Sequence, residues 1–330
     1  MKKILLGVLA VFLVILIGAG GYIFKLIGAI TNAQGLMAEE PEFWEADGDT
    51  EDFGISEEAP SEKETGVINI LLLGSDRRNQ KEHGRSDAIM IASLDTKNGQ
   101  LKLSSIMRDL YVSIPGRQDN RINAAFSFGG PKLALQTINQ NLNLNLTRYV
   151  TVDFFGLEGI INAIDGVEID IKKKEVNHFN KVLDELNKLD KSGRKSPHLT
   201  EPGLQTLDGK QAVAYSRIRK VGDGDSERTE RQRKVMIQIF SKMKSISPLK
   251  LPDLVAAMVP YVNTNISTTD MISLGASVLG IKDKNIYQYR VPAKDTYKGQ
   301  TIRGMAVYVA DMEKNTQLLH DFLQNKAEKE

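Results

Sequence analysis

Val67-Ile68-Asn69-Ile70-Leu71-Leu72-Leu73 is a short, nearly continuous apolar run. A strand that is apolar on both of its alternating faces must be covered on both. It therefore belongs at the centre of a sheet, with a further layer on each side. The neighbouring sequence is consistent with that. Residues 88–94 read as a second strand, 95–100 as a turn, and 101–106 alternate as a third strand antiparallel to the second. Residues 131–142 carry a helical apolar pattern, 148–153 a strand, 154–164 a helix, 167–171 an alternating strand and 175–189 a polar helix. Strands separated by helices specify an α/β fold, a layered α-β-α sandwich around a central mixed sheet. Later stretches read as helices over 235–243, 251–262, 269–279 and 311–325, with strands over 286–291 and 301–309. Residues 240–330 show no chemistry and are assigned to packing.

The N-terminus adds a different constraint. Lys2 and Lys3 precede an uncharged apolar run from Ile4 to Phe24, about the length of a membrane-spanning helix. The run is too long for the core of a cleaved signal peptide. Residues 1–30 therefore read as an uncleaved single-pass anchor of the cell membrane, with a cytoplasmic tip and the remainder outside. Residues 31–65 hold about a dozen acids against Lys63 and read as a disordered acidic spacer. Residues 66–330 form the extracytoplasmic domain. The whole chain is near neutral, at +1, so this domain carries an excess of about nine positive charges, which suits an anionic ligand. Without cysteine there are no disulfides, thiol nucleophiles or zinc–thiolate sites.

The charged groups gather at predicted strand ends. Asp76 follows the first strand and Asp87 opens the second. If these strands are antiparallel neighbours, both carboxylates stand at one sheet edge, an oxygen donor set that suits Mg²⁺. Arg77, Arg78, Arg85 and Arg108 cluster at the same ends. A second basic stretch runs from Tyr215 to Arg233. Arg217 and Arg219 precede a Gly222-Asp223-Gly224 turn, and Asp225 or Ser226 can cap the helix beyond it. In that helix Arg228, Arg231 and Gln232 share a face near the N-terminus, where bound anions are favoured. Taken singly, each residue also reads as a turn or a surface ion pair worth about 0–1 kcal/mol. His178 and His198 show no acidic partner at ligand spacing, and Ser216 has no evident base to make it a nucleophile.

Taken together, these blocks resemble the LytR–CpsA–Psr family of cell-wall glycopolymer transferases. The resemblance runs from about Asn69 to Arg233. It includes Leu72-Leu73-Gly74-Ser75-Asp76, Arg85-Ser86-Asp87, Arg108-Asp109, Arg121-Ile122-Asn123-Ala124-Ala125-Phe126, Asp165-Gly166-Val167, Leu207-Asp208-Gly209-Lys210-Gln211-Ala212, Tyr215-Ser216-Arg217-Ile218-Arg219 and Arg228-Thr229-Glu230-Arg231-Gln232. Met107, Leu110 and the pair Ser226-Glu227 depart from the family's usual residues. The resemblance implies Mg²⁺-dependent transfer of a phosphate-linked glycopolymer, such as wall teichoic acid, from a polyprenyl-pyrophosphate carrier to a peptidoglycan sugar hydroxyl. Asp76 and Asp87 would hold the metal. Arg85, Arg108, Arg217, Arg219, Arg228, Arg231 and Gln232 would hold the pyrophosphate. Asp76, Asp87 and Arg108 would be catalytic, with Asp87 a candidate to take the hydroxyl proton. The competing readings are hydrolysis of the lipid pyrophosphate and a membrane-bound regulatory or binding protein of the envelope. Nucleic acid is not an expected partner, because the arginines sit with acids at strand ends without stacking aromatics.

Overall fold

The computed structural model describes residues 53–75, 84–190, 193–219, 221 and 225–325. The expected anchor over 1–30, the spacer up to residue 52, and Asp76, Arg77, Arg78 and the Gly222–Gly224 turn lie outside these residues. In chain order the elements are α1 (Glu62–Thr65), β1 (Val67–Ser75), β2 (Ser86–Asp95), β3 (Gln100–Ile106), β4 (Tyr111–Val112), β5 (Asn120–Arg121), α2 (Asn123–Leu142), β6 (Tyr149–Val152), α3 (Phe154–Ala163), β7 (Val167–Ile171), α4 (Val176–Leu189), β8 (Gly203–Leu207), α5 (Gly209–Ser216), α6 (Asp225–Lys244), α7 (Leu251–Met258), β9 (Asn263–Thr264), α8 (Thr268–Gly280), β10 (Ile286–Val291), β11 (Tyr297–Ile302), β12 (Met305–Ala310) and α9 (Met312–Gln324). Among the described residues no helix is long and apolar enough to cross a membrane.

The fold is mixed α/β around a six-stranded mixed sheet in the order β10-β3-β2-β1-β6-β9. The apolar run is β1, inside the sheet, antiparallel to β2 and parallel to β6. Its residues divide between two faces. Leu71 and Leu73, with Ile89 and Ile91 of β2, pack against Leu135, Ile138 and Leu142 of α2 and Leu319 and Leu323 of α9. On the opposite face Leu72 and Met90 meet Met236, Ile237 and Phe240 of α6. A second apolar cluster joins α3, α4, α5 and α6 to the antiparallel pair β7 and β8. Buried polar groups tie the layers. The Lys102 ammonium donates to Asp95 at 2.7 Å and to the carbonyls of Leu323 and Asn325 at 2.8 Å each. All three of its protons are thus used, and the end of α9 is tied to the sheet.

Three expectations are corrected. The packed unit includes Phe53, inside the stretch read as a disordered spacer. Phe53 is buried in the main core, and its carbonyl accepts from the Asn139 amide at 2.8 Å. Ser61 caps α1 through a capping box, and Glu62 pairs with Arg148 at 2.6 Å. The acidic composition concealed a short segment that docks through one aromatic ring and one capped turn. The expected strand over 301–309 is two strands, β11 and β12, because Arg303 and Gly304 adopt left-handed conformations and turn the chain between them. The third correction concerns residues 240–330, which do more than pack.

Candidate functional site

The site starts at a bulge in β2. Gly74 pairs with Ala88, but the next ladder pair is Ser75 with Ser86, so Asp87 is the extra residue. Strict alternation would turn Asp87 with Ile89 and Ile91 into the apolar core. The bulge re-aims it to the opposite face, beside Ala88 and Met90. A Cβ at Gly74 would stand 2.9 Å from that of Ala88, so the two small residues leave space beside the carboxylate.

Three guanidiniums from distant parts of the chain converge on Asp87. Arg108, two residues beyond β3, donates to Oδ1 at 2.5 Å. Arg219, after α5, donates to Oδ2 at 3.0 Å, and Arg228 of α6 lies 3.7 Å from the same oxygen. Burial opposes the charge on Asp87. The fields of Arg228 and Arg108, the hydrogen bond from Arg108 and the field of Arg219 outweigh it and hold the carboxyl below its ordinary range. Arg228 is fully buried, while the Arg219 side chain is 59% exposed. Arg108 also lies 3.4 Å from Asp109, which accepts from Arg121 at 3.0 Å. Arg217 caps the end of α5 and places its guanidinium over the Phe154 ring, 4.2 Å from the centroid. Arg85 is exposed, one residue before β2.

Arg231 stands apart from this group. It is buried with its Nε donating to Glu175 at 2.8 Å and its terminal nitrogens to Glu227 and the carbonyls of Ile218 and Val221. Its role here is to hold the chain after α5 against α6. α6 begins at Asp225, and the residue before it lies outside the described set. Ser216 is buried and donates to the Val213 carbonyl. His198, expected to lack an acidic partner, pairs with Asp184 at 2.7 Å, with both side chains half exposed. Among the described residues no three acidic, His or Cys groups form a metal cluster.

Below the guanidiniums opens a cavity of about 310 Å³, lined almost wholly by aliphatic side chains. Its polar lining residues are Ser75, Asp87, Asp153, Ser216 and Gln232, and the Asp87 end, where the guanidiniums meet, is its mouth. One helix face supplies head and wall together. Gln232, Val235, Met236, Ile239, Phe240 and Met243 recur at helical spacing along the lining, and Arg228 lies one turn before Gln232 on that stripe. Ile70, Leu72, Met90 and Ala92 of the sheet form one side. Phe154, Leu157 and Ile160 of α3 form another. Val255 and Met258 of α7, with Met271, Leu274 and Val278 of α8, complete it. These last two helices fall in the stretch read as packing alone. Their sequence signal was weak because a helix that lines a tube has the same apolar stripe as one that fills a core.

The arrangement joins a positively charged mouth that holds the Asp87 carboxylate to an apolar tube. It can take a molecule with a multiply anionic head and a hydrocarbon tail.

Comparisons with known proteins agree with this geometry. The LytR_cpsA_psr family matches residues 39–322. Regulatory protein MsrR of Staphylococcus aureus is 34% identical over 267 residues, covering 79% of this chain and 76% of MsrR. The polyisoprenyl-teichoic acid–peptidoglycan teichoic acid transferase TagU of Bacillus cereus is 32% identical over 278 residues, covering 83% of this chain and 82% of TagU. The structure of TagT, a LytR-CPS2A-psr family protein, with bound octaprenyl pyrophosphate lipid superposes with a TM-score of 0.57 at 26% identity, covering 78% of this chain and 90% of that one.

Proposed function

This chain belongs to the LytR–CpsA–Psr family, and from that premise we propose that it transfers a phosphate-linked glycopolymer from a polyprenyl-pyrophosphate carrier to a sugar hydroxyl of peptidoglycan. The observation that carries the reading is the joined pair of environments, with Arg108, Arg219 and Arg228 around Asp87 at the mouth and the aliphatic tube beneath. The diphosphate lies among the guanidiniums and the polyprenyl chain lies in the tube. TagU, which bears the matching activity in its name, and TagT with its bound lipid support the assignment. Anchorage in the cell membrane by residues 1–30, with the catalytic domain outside, belongs to the same proposal.

The acceptor hydroxyl oxygen forms a bond to the phosphorus that bears the glycopolymer. The bridging P–O bond breaks, polyprenyl phosphate departs with the electron pair, and the hydroxyl proton passes to solvent. Arg108, Arg219 and Arg228, with Arg85, Arg217 and Gln232 nearby in the chain, hold the diphosphate oxygens and stabilise the charge that develops on the leaving phosphate. Asp87 is poorly suited to be the base, since its guanidiniums depress its proton affinity. It serves instead to orient the arginines. Mg²⁺ fits the donor chemistry, because it takes one or two carboxylates and fills its remaining positions with phosphate oxygens and water. Asp87 offers an ionised carboxylate at the mouth, and Asp76 is the proposed second ligand. When bound, the ion would neutralise diphosphate charge.

The test uses the full chain in detergent with a polyprenyl-diphosphate-linked saccharide donor and peptidoglycan fragments. Arg219→Ala removes an exposed side chain and should lower turnover by about ten- to a hundredfold, as expected for one charge-assisted hydrogen bond. Unchanged turnover would overturn the assignment. Product analysis without peptidoglycan separates transfer from hydrolysis.

A further inference from the structure

A second cleft, of about 360 Å³, lies between Asp109 and the β11–β12 hairpin. It adjoins the guanidinium cluster through adjacent residues, since Arg108 faces Asp87 and Asp109 lines the cleft. The hairpin that forms its wall is tied down at both ends. The Tyr308 amide donates to the Asp109 carbonyl at 2.9 Å. At the turn, Arg303 donates to Gln118, to the Asp119 carbonyl and to the Tyr111 hydroxyl. Such a wall is already set for a ligand, which reduces the ordering cost of binding.

Its chemistry differs from that of the first site. Thr301 and Tyr308 border it from one face of the hairpin, with a hydroxyl and a phenol, and Gln300 borders it from the other, with an amide. No Lys or Arg lines it, and the one carboxylate, Asp109, is engaged by Arg108 and Arg121. A neutral lining rich in donors and acceptors beside an aromatic ring suits a neutral polyhydroxylated ligand better than an anion. Gly299 stands directly across the ladder from Tyr308, and a Cβ there would have nothing within 4 Å. The Tyr308 ring packs edge-on against Tyr297, with centroids 5.1 Å apart, and the strand is open at Gly299 beside it.

We propose that this cleft binds a neutral saccharide chain, the glycan of the acceptor, and presents its hydroxyl toward Arg108. The proposal rests on the transfer reading above and adds where the second substrate sits.

The experiment measures binding of a β-1,4-linked N-acetylglucosamine tetrasaccharide to the full chain in detergent by saturation-transfer NMR, alongside octaprenyl diphosphate binding. Wild type should bind both. Gly299→Trp fills the open space and should weaken tetrasaccharide binding by at least about tenfold, leaving diphosphate binding within about twofold. The double variant Gln300→Ala/Thr301→Ala, which alters exposed side chains, should do the same and carries the test if Gly299→Trp fails to fold. A wild type that does not bind the tetrasaccharide overturns the cleft assignment, as do variants that bind it equally well. Saccharide binding without diphosphate binding would instead strike the transfer reading and leave the cleft standing.

Discussion

At the residue scale, the informative contrast is between Asp87 and Arg231. Both are acid–guanidinium sites, yet Asp87 faces a cavity mouth and Arg231 is enclosed. The folded pKa of Asp87 is depressed. Its contribution to stability is therefore present above the unfolded carboxylate value, about 3.9, and is lost as pH falls through the folded value. Asp87→Asn should cost about 1–3 kcal/mol at pH 7. The gap to wild type should begin to close as pH falls below about 3.9 and should narrow further with acid, in a series of denaturant unfolding curves. Arg231→Ala strands the buried Glu175 carboxylate and should cost about 3–5 kcal/mol. It should lower the melting temperature far more than Arg219→Ala does, and that ordering separates a structural arginine from a substrate arginine. Helical spacing placed Arg228, Arg231 and Gln232 on one face, but it could not say which side chain an acid elsewhere in the chain would claim. Glu175 lies 56 residues away in sequence, and nothing local to either residue marks the pairing.

At the element scale, β2 carries the link between head and tail. It leaves the mouth at Asp87 and runs inward through Ala88, Met90 and Ala92, all of which line the cavity. At about 3.3 Å per residue, Ala92 lies roughly 16 Å from Asp87. Ala92→Phe should therefore block the inner tube. Binding of a two-isoprene diphosphate should hold within about threefold, while binding of an octaprenyl diphosphate should weaken by at least about tenfold. Equal loss for both chain lengths would show that the tube does not hold the tail. Most of this sheet was legible in sequence, because alternation and turn chemistry are local. β1, β2, β3 and β10 sit within a residue or two of where their patterns placed them. The bulge was not legible, since residues 88–94 are apolar on both faces and give no alternation that a one-residue slip could interrupt. Nor was the lining role of α7 and α8, whose stripes face a void where a core was expected.

At the scale of the whole molecule, the sheet separates two kinds of interior. One face is a filled core closed by α2 and α9, and the other is a tube roofed by α3, α6, α7 and α8. A ligand that fills the tube and pairs with the mouth should stabilise the folded state by mass action, raising the melting temperature with concentration. If Asp76 and Asp87 hold Mg²⁺ as proposed, chelation should reduce that shift and lower transfer, and added Mg²⁺ should restore both. The most direct measurement is equilibrium binding of octaprenyl diphosphate to the full chain, compared with octaprenol and with inorganic pyrophosphate. The diphosphate lipid should bind at least about a hundredfold more tightly than either part, and Arg108→Ala/Arg219→Ala should erase most of the difference. Octaprenol binding as tightly as its diphosphate, or a double variant indistinguishable from wild type, would contradict the joining of head and tail sites on which the account stands.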